Sequence, residues 1–142
     1  MQTFLPYADF ARSAAVLDDR RLGKQRVEGI QIVRALTVPA YAWKSHPAVL
    51  MWAGHEPALE AYLVAVCDEW AERGFDDTCR ETIRADLAGA GVDGPVRQAE
   101  LAAAGQLPPW LGDEAVHRSH RASLPRKDPD HYAAHFAGER LD

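Results

Sequence analysis

Acids and bases are set at helical spacing in the segment VLDDRRLGKQRVEGIQIVRAL, residues 16–36. On a helix turning about 100° per residue, Arg21, Lys24, Gln25, Glu28 and Gln31 share a polar stripe, with Arg20 one turn before Lys24. Glu28 is the only carboxylate on that stripe. Framed by Arg21, Lys24 and two amides, it has the chemistry to hold a sugar or a cationic intermediate while the bases hold phosphates. The same spacing also describes an ordinary solvated Lys24–Glu28 pair, worth roughly 0.3–0.5 kcal/mol. Spacing alone leaves both readings open.

A second cluster, SHRASLPRKDPDHY, gathers His120, Arg121, Arg126, Lys127 and Tyr132. Its bases suit phosphates, and a histidine in such company suits a phosphate or a base edge. Tyr132 and Phe136 either stack on a nucleobase or pack in a core. His131 with His135, and His117 with His120, have the spacing to face one ion. No cysteine pair, HExxH motif or carboxylate partner accompanies them, so no metal is expected. His46 and His55 flank a short apolar stretch, where a structural role is favoured for at least one.

Charge is distributed unevenly. The net charge is −5 over 142 residues, which taken alone argues against a polyanionic partner. Residues 56–100 carry eleven acids against four arginines, a balance of −7. Residues 12–34 carry six bases against three acids, and residues 117–127 carry four bases and no acid. Two basic patches thus flank an acidic body. If folding unites them, they make a phosphate-binding face, and acids beyond a Debye length of about 8 Å weaken it little.

Helices must position these groups. Leu22, Val27, Ile30, Val33 and Leu36 recur at helical spacing, predicting one helix over 16–36 with a break near Leu17 and Asp18. Asp9 caps a short helix from Phe10. Ser45 is the expected N-cap of a helix through Ala48, Val49 and Trp52, with Pro47 in its first turn. The clearest helix spans 57–73, with Leu59, Tyr62, Leu63, Val66 and Trp70 facing inward. Cys67 adjoins that stripe as a small hydrophobe. Asp77 or Thr78 caps a further helix to about Leu87. The loop AGAGVDG lacks the strand and the Lys-Ser or Lys-Thr of a phosphate-binding loop. Shorter helices follow from Pro95, from Gly112 or Asp113, and over 128–136. Trp43, Trp52, Trp70 and Trp110 are core candidates. No stretch alternates at period two and no repeat is found. The expected architecture is all-α: one compact domain over 1–142 with about five to seven helices.

Composition narrows the class further. No apolar run reaches the roughly 18 residues of a membrane span. The start, MQTFLPYADF, has neither basic nor apolar signal regions. Cys67 and Cys79 lack metal spacing and read as reduced thiols. A cytoplasmic protein without membrane contact is expected.

Several separated pieces also coincide with one family. LDDRRLGKQRVEG, then SHPAVLMWAGHEPAL with EWAERGF, then SHRASLPRKDPDHY, resemble in order and spacing the pyrimidine-dimer DNA glycosylase family typified by bacteriophage endonuclease V. The resemblance spans nearly the whole chain. It implies a small all-helical enzyme, a DNA glycosylase with coupled abasic-site lyase activity on damaged or modified pyrimidines. The N-terminal α-amine would be the nucleophile and Glu28 the catalytic carboxylate, with no cofactor. An α-amine, with a pKa near 8, is neutral far more often at pH 7 than a lysine near 10.4. Gln2 is bulky, so Met1 is expected to be retained and to supply that amine itself. By the same resemblance Arg20, Arg21, Lys24 and Arg26 line the DNA face around Glu28. Arg121, Arg126 and Lys127 grip phosphates, and His120 and Tyr132 reach the lesion. The implied partner is damaged, double-stranded DNA, bound by a monomer. The family's early arginine is absent, since Gln2, Thr3 and Phe4 stand there, and its aromatic C-terminal cluster is reduced to Tyr132 and Phe136. Two alternatives remain: a related lyase acting on another lesion, and a non-catalytic helical module binding nucleic acid or protein.

Overall fold

A computed structural model of the chain describes residues 1–137. Residues 138–142, part of the expected single domain, lie outside the described residues. The chain runs through α1 (Phe10–Val16), α2 (Asp19–Thr37), α3 (Pro47–Leu50), α4 (Glu56–Glu72), α5 (Cys79–Gly89), α6 (Gln98–Ala103), α7 (Glu114–Ser123), a 3-10 turn (Leu124–Arg126) and α8 (Pro129–His135). The architecture is all-helical, as expected. Eight α-helices among the described residues exceed the anticipated five to seven, because four of them have seven residues or fewer.

Capping side chains set most helix starts. Asp9 accepts the Arg12 N–H at the head of α1. The break expected near Leu17 and Asp18 is present, and α2 begins at Asp19 because extended Asp18 accepts the Arg21 N–H and so starts a new helix. The anticipated Ser45 cap is displaced by one residue. His46 precedes Pro47, and its Nδ1 accepts the Ala48 N–H at 3.0 Å. Asp77 accepts from the backbones of Cys79 and Arg80 at the start of α5. Asp113 and Asp128 cap α7 and α8 in the same way.

α2 lies between α4 and α5, and α1 crosses α4. Leu22, Ile32 and Val33 of α2 meet Leu59, Leu63 and Val66 of α4 and Ile83 and Leu87 of α5 in one core. Close approach of α2 to α4 depends on a missing side chain. A Cβ on Gly29 would lie 2.8 Å from Leu63 Cδ1, and closer still to Cδ2. Cys67 and Cys79 are free and buried, and burial pushes both thiols upward, so both behave as small hydrophobes. Trp52 is fully buried and Trp70 and Trp110 partly so. Trp43 departs from the expected core role. It is 59% exposed, in the loop between α2 and α3, with φ at 71°.

The C-terminal helices close back on the start of the chain. Tyr132 is fully buried and its hydroxyl donates to the Asp18 carboxylate. His131 Nε2 lies 2.8 Å from the Val16 carbonyl. From α7, His117 Nδ1 meets the Leu5 carbonyl at 2.9 Å while its Nε2 accepts the Gly112 N–H. His120 Nδ1 accepts the Leu5 N–H at 3.2 Å. Arg121 donates to the Pro6 carbonyl at 2.7 Å and pairs with Glu114.

Two outcomes follow from this packing. Gly29→Val should cost about 1–3 kcal/mol by overpacking. Paired with Leu63→Ala, it should cost less than the sum of the single changes; additive urea midpoints would remove the Gly29–Leu63 contact as the cause. His120 has its pKa pushed down to about 4 by burial and by His117, against about 6.5 when unfolded. Between those values the unfolded chain binds more protons. The stabilisation is therefore full above about pH 6.5 and is lost as pH falls toward 4. His120→Asn keeps an acceptor that does not titrate, so its melting temperature should fall less steeply over that window. Parallel melting profiles would reject His120 as the source.

Candidate active site

The start of the chain has no strand beside it, yet residues 3–6 are buried. Its backbone is bonded by side chains instead. The Gln2 N–H donates to Glu28 Oε2 at 2.7 Å. The Gln2 carbonyl accepts from Gln25 Nε2 at 2.9 Å, and the Phe4 N–H donates to Gln25 Oε1 at 2.8 Å. The Phe4 carbonyl accepts from the Tyr62 hydroxyl, which also lies 3.0 Å from Gln25 Oε1. Thr3 Oγ1 lies 3.3 Å from Trp52 Nε1. Residues 2 and 4 thus face α2 and α4, whereas Leu5 faces α7, the alternation of an extended chain.

This arrangement carries the Met1 amine to 3.8 Å from Glu28 Oε1. Lys24 Nζ lies 3.7 Å from the same oxygen. The Glu28 side chain is 9% exposed and that of Lys24 is 61% exposed, so this is not the solvated pair that spacing alone allowed. A nearly buried carboxylate faces a primary amine on one side and an accessible ammonium on the other. Such a trio can exchange protons with an amine and can stabilise a cation formed beside it.

The remaining residues anticipated for the site divide. Arg20 is exposed, one turn from Lys24. Arg21 reaches back to Asp18 at 3.4 Å. Burial works to raise the Asp18 carboxyl, but hydrogen bonds from Tyr132 and Arg21 together with the Arg21 charge hold it below the usual range. Arg26 lies on the far edge of α2, over the Trp70 ring and 2.6 Å from Asp77. It is not brought to Glu28. Arg126 and Lys127 are exposed. Arg121 is 5% exposed, and its guanidinium is turned inward onto the Pro6 carbonyl. Tyr132 and His120 are likewise committed to internal bonds, to Asp18 and Leu5. These three, and Arg26, each satisfy an internal partner.

Two further neighbours complete this arrangement: Gln25, expected on the polar stripe, is fully buried, and Tyr62, in the core as expected, carries a hydroxyl used on Phe4. The signal was available in Gln25 itself, which stands one turn before Glu28. No group of three or more His, Cys, Asp or Glu converges among the described residues. No helix among them is long and apolar enough to cross a membrane. A cleft of about 820 Å³ opens between α1, α4 and α6, lined by Phe10, Ala61, Val64, Val96 and Leu107. Neither Met1 nor Glu28 lines it.

No curated protein and no solved structure matches the chain. A family model described as pyrimidine dimer DNA glycosylase matches residues 1–82. That match covers more than half of the 142 residues and includes the N-terminal segment, α2 and α4. It therefore contains both Met1 and Glu28, and on this evidence the chain belongs to the pyrimidine dimer DNA glycosylase family.

Proposed function

We propose that the chain removes a damaged pyrimidine from double-stranded DNA and cuts the strand at the resulting abasic site, through a Schiff base on the Met1 α-amine. The observation that carries this reading is the amine held 3.8 Å from a nearly buried carboxylate. In the neutral amine the nitrogen lone pair attacks the sugar C1′, and the bond from C1′ to the base breaks. The base leaves with that electron pair and is protonated. The C1′–O4′ bond then opens, O4′ takes a proton and the nitrogen becomes an iminium. Loss of a C2′ proton expels the 3′ phosphate by β-elimination, and water hydrolyses the imine to restore the amine. Glu28 is the group positioned to accept the amine's proton, to deliver one to O4′ and to offset the cationic sugar.

Lys24 and Arg20 supply positive charge on the open side of Glu28. Arg126 and Lys127 are the exposed bases of the second patch and are assigned to phosphates.

Borohydride trapping of the untagged protein on abasic DNA should yield an adduct that maps to Met1. One added N-terminal residue should abolish that adduct. Glu28→Gln should slow strand cutting at least about 100-fold while leaving DNA affinity nearly intact. Equal loss of affinity and cutting would instead make Glu28 a structural group. Arg126→Glu with Lys127→Glu should weaken binding and reduce the salt slope by about 2, near 0.9 per phosphate contact. A slope that does not move takes that patch out of the interface.

A further inference from the structure

Four backbone groups of residues 2 and 4 end on three side chains, and one of those side chains takes two of them. Gln25 is fully buried, and its amide donates to the Gln2 carbonyl and accepts from the Phe4 N–H. An amide presents one donor side and one acceptor side, so only one orientation satisfies both contacts. Its oxygen has a second lone pair, which faces the Tyr62 hydroxyl at 3.0 Å. The single proton of that hydroxyl lies between this oxygen and the Phe4 carbonyl, so Tyr62 holds the two acceptors side by side. A slip of one residue in an extended segment moves every atom about 3.3 Å along and turns it to the opposite side. Such a slip would unpair the Gln25 amide and carry the Met1 amine away from Glu28.

We infer that Gln25, locked by Tyr62, is the positioning residue that fixes the register of the N-terminal segment and so holds the Met1 amine against Glu28. The inference rests on the proposed Schiff-base reading for its catalytic consequence, and on the hydrogen bonds alone for its geometric content. Gln25 does not touch the reacting atoms. It acts through the backbone of Gln2, and Glu28 then receives the Gln2 N–H and the amine together.

Gln25→Glu is the informative variant. It keeps shape and volume and the two acceptor contacts, but sets an oxygen against the Gln2 carbonyl. Tyr62→Phe removes one hydroxyl and is the milder companion should the first variant fold poorly. Both are compared with the untagged wild-type protein in three measurements: the single-turnover rate of borohydride trapping on abasic DNA, affinity for the same DNA, and the rate at which a small amine-acylating reagent modifies the Met1 α-amine without DNA. For Gln25→Glu, trapping should slow about 100-fold, as misplacement by about 1 Å does elsewhere, with affinity nearly unchanged. The α-amine, released from Glu28, should acylate faster. Tyr62→Phe should shift both rates in the same directions by less. Wild-type trapping and acylation rates in both variants would overturn the inference, as would a fall in affinity that matches the fall in trapping. If the wild-type protein itself gives no adduct, the Schiff-base reading fails. Acylation then decides alone: faster modification in Gln25→Glu sustains the positioning role, and equal modification removes it.

Discussion

The burial of residues 3–6 without a neighbouring strand is the constraint from which the rest follows. A buried peptide group left unpaired costs about 1–3 kcal/mol, and a sheet would have satisfied these at once. Here the donors and acceptors come from side chains on three helices: Gln25 and Glu28 from α2, Tyr62 from α4, His117, His120 and Arg121 from α7. Because each partner lies far away in sequence, the segment ties the two ends of the chain into one unit. α7 meets this segment through His117, His120 and Arg121. The polarity of its inward face, two histidines and an arginine, makes sense only as the complement of an irregular backbone.

Three carboxylates of the described residues are buried, and their surroundings divide them by role. Asp18 caps α2 and receives the Tyr132 hydroxyl and Arg21, leaving little capacity for a ligand. Glu60 is pushed upward by burial and countered chiefly by Arg84, 2.7 Å away. Glu28 differs in what it faces. One oxygen takes a backbone N–H, and the other looks toward an α-amine and a lysine at distances nearer 4 Å than 3. At such separations a pair of unit charges is worth roughly 1 kcal/mol in water and about 4 kcal/mol at an effective dielectric of 20. The attraction is enough to gather the groups and weak enough to let a substrate atom enter between them. Of the three, only Glu28 has an α-amine facing it.

Much of this was legible in the residues. The helical spacing of Leu22, Val27, Ile30, Val33 and Leu36 marks α2, although Val27 itself falls on the exposed side, and the aspartates at 9, 113 and 128 mark helix starts. Glu28 stood out because a single acid among bases is chemically conspicuous. What could not be read was which polar residues turn inward. Helical phase placed Gln25 beside Lys24 on one stripe, but a stripe has two edges, and the N-terminal segment covers the one carrying Gln25 and Glu28. Tyr132 and Arg121 turn inward for a related reason. Both types bind DNA readily and both also satisfy buried backbone or carboxylate groups, and only the path of residues 1–9 and the Asp18 cap decides between these uses. The exposed Trp43 shows the reverse, a large aromatic that hydrophobicity assigned to the core and that no helix covers.

The partition of charge along α2 explains how an acidic chain presents a basic face. Bases on one edge of the helix are spent on the acidic body: Arg26 pairs with Asp77, and Arg34 with Asp86. Bases on the other edge, Arg20 and Lys24, keep their charge toward solvent on either side of the turn leading to Glu28. Within the body, Arg80 meets Asp68 and Arg84 meets Glu60, so several of the acids that dominate the sum are already neutralised at short range. With a Debye length of about 8 Å, the field near Glu28 is set by Lys24 and the amine and much less by the net charge. The same division limits that face. Of six bases between residues 12 and 34, only Arg20 and Lys24 remain directed outward near the carboxylate, because Arg12 lies over the Tyr7 ring and Arg21 serves Asp18. A face with so few charges cannot hold a polyanion tightly by itself. The exposed Arg126 and Lys127 therefore matter to the proposed interface out of proportion to their number. They would lengthen the line of phosphate contacts without placing a further cation beside Glu28 and the Met1 amine.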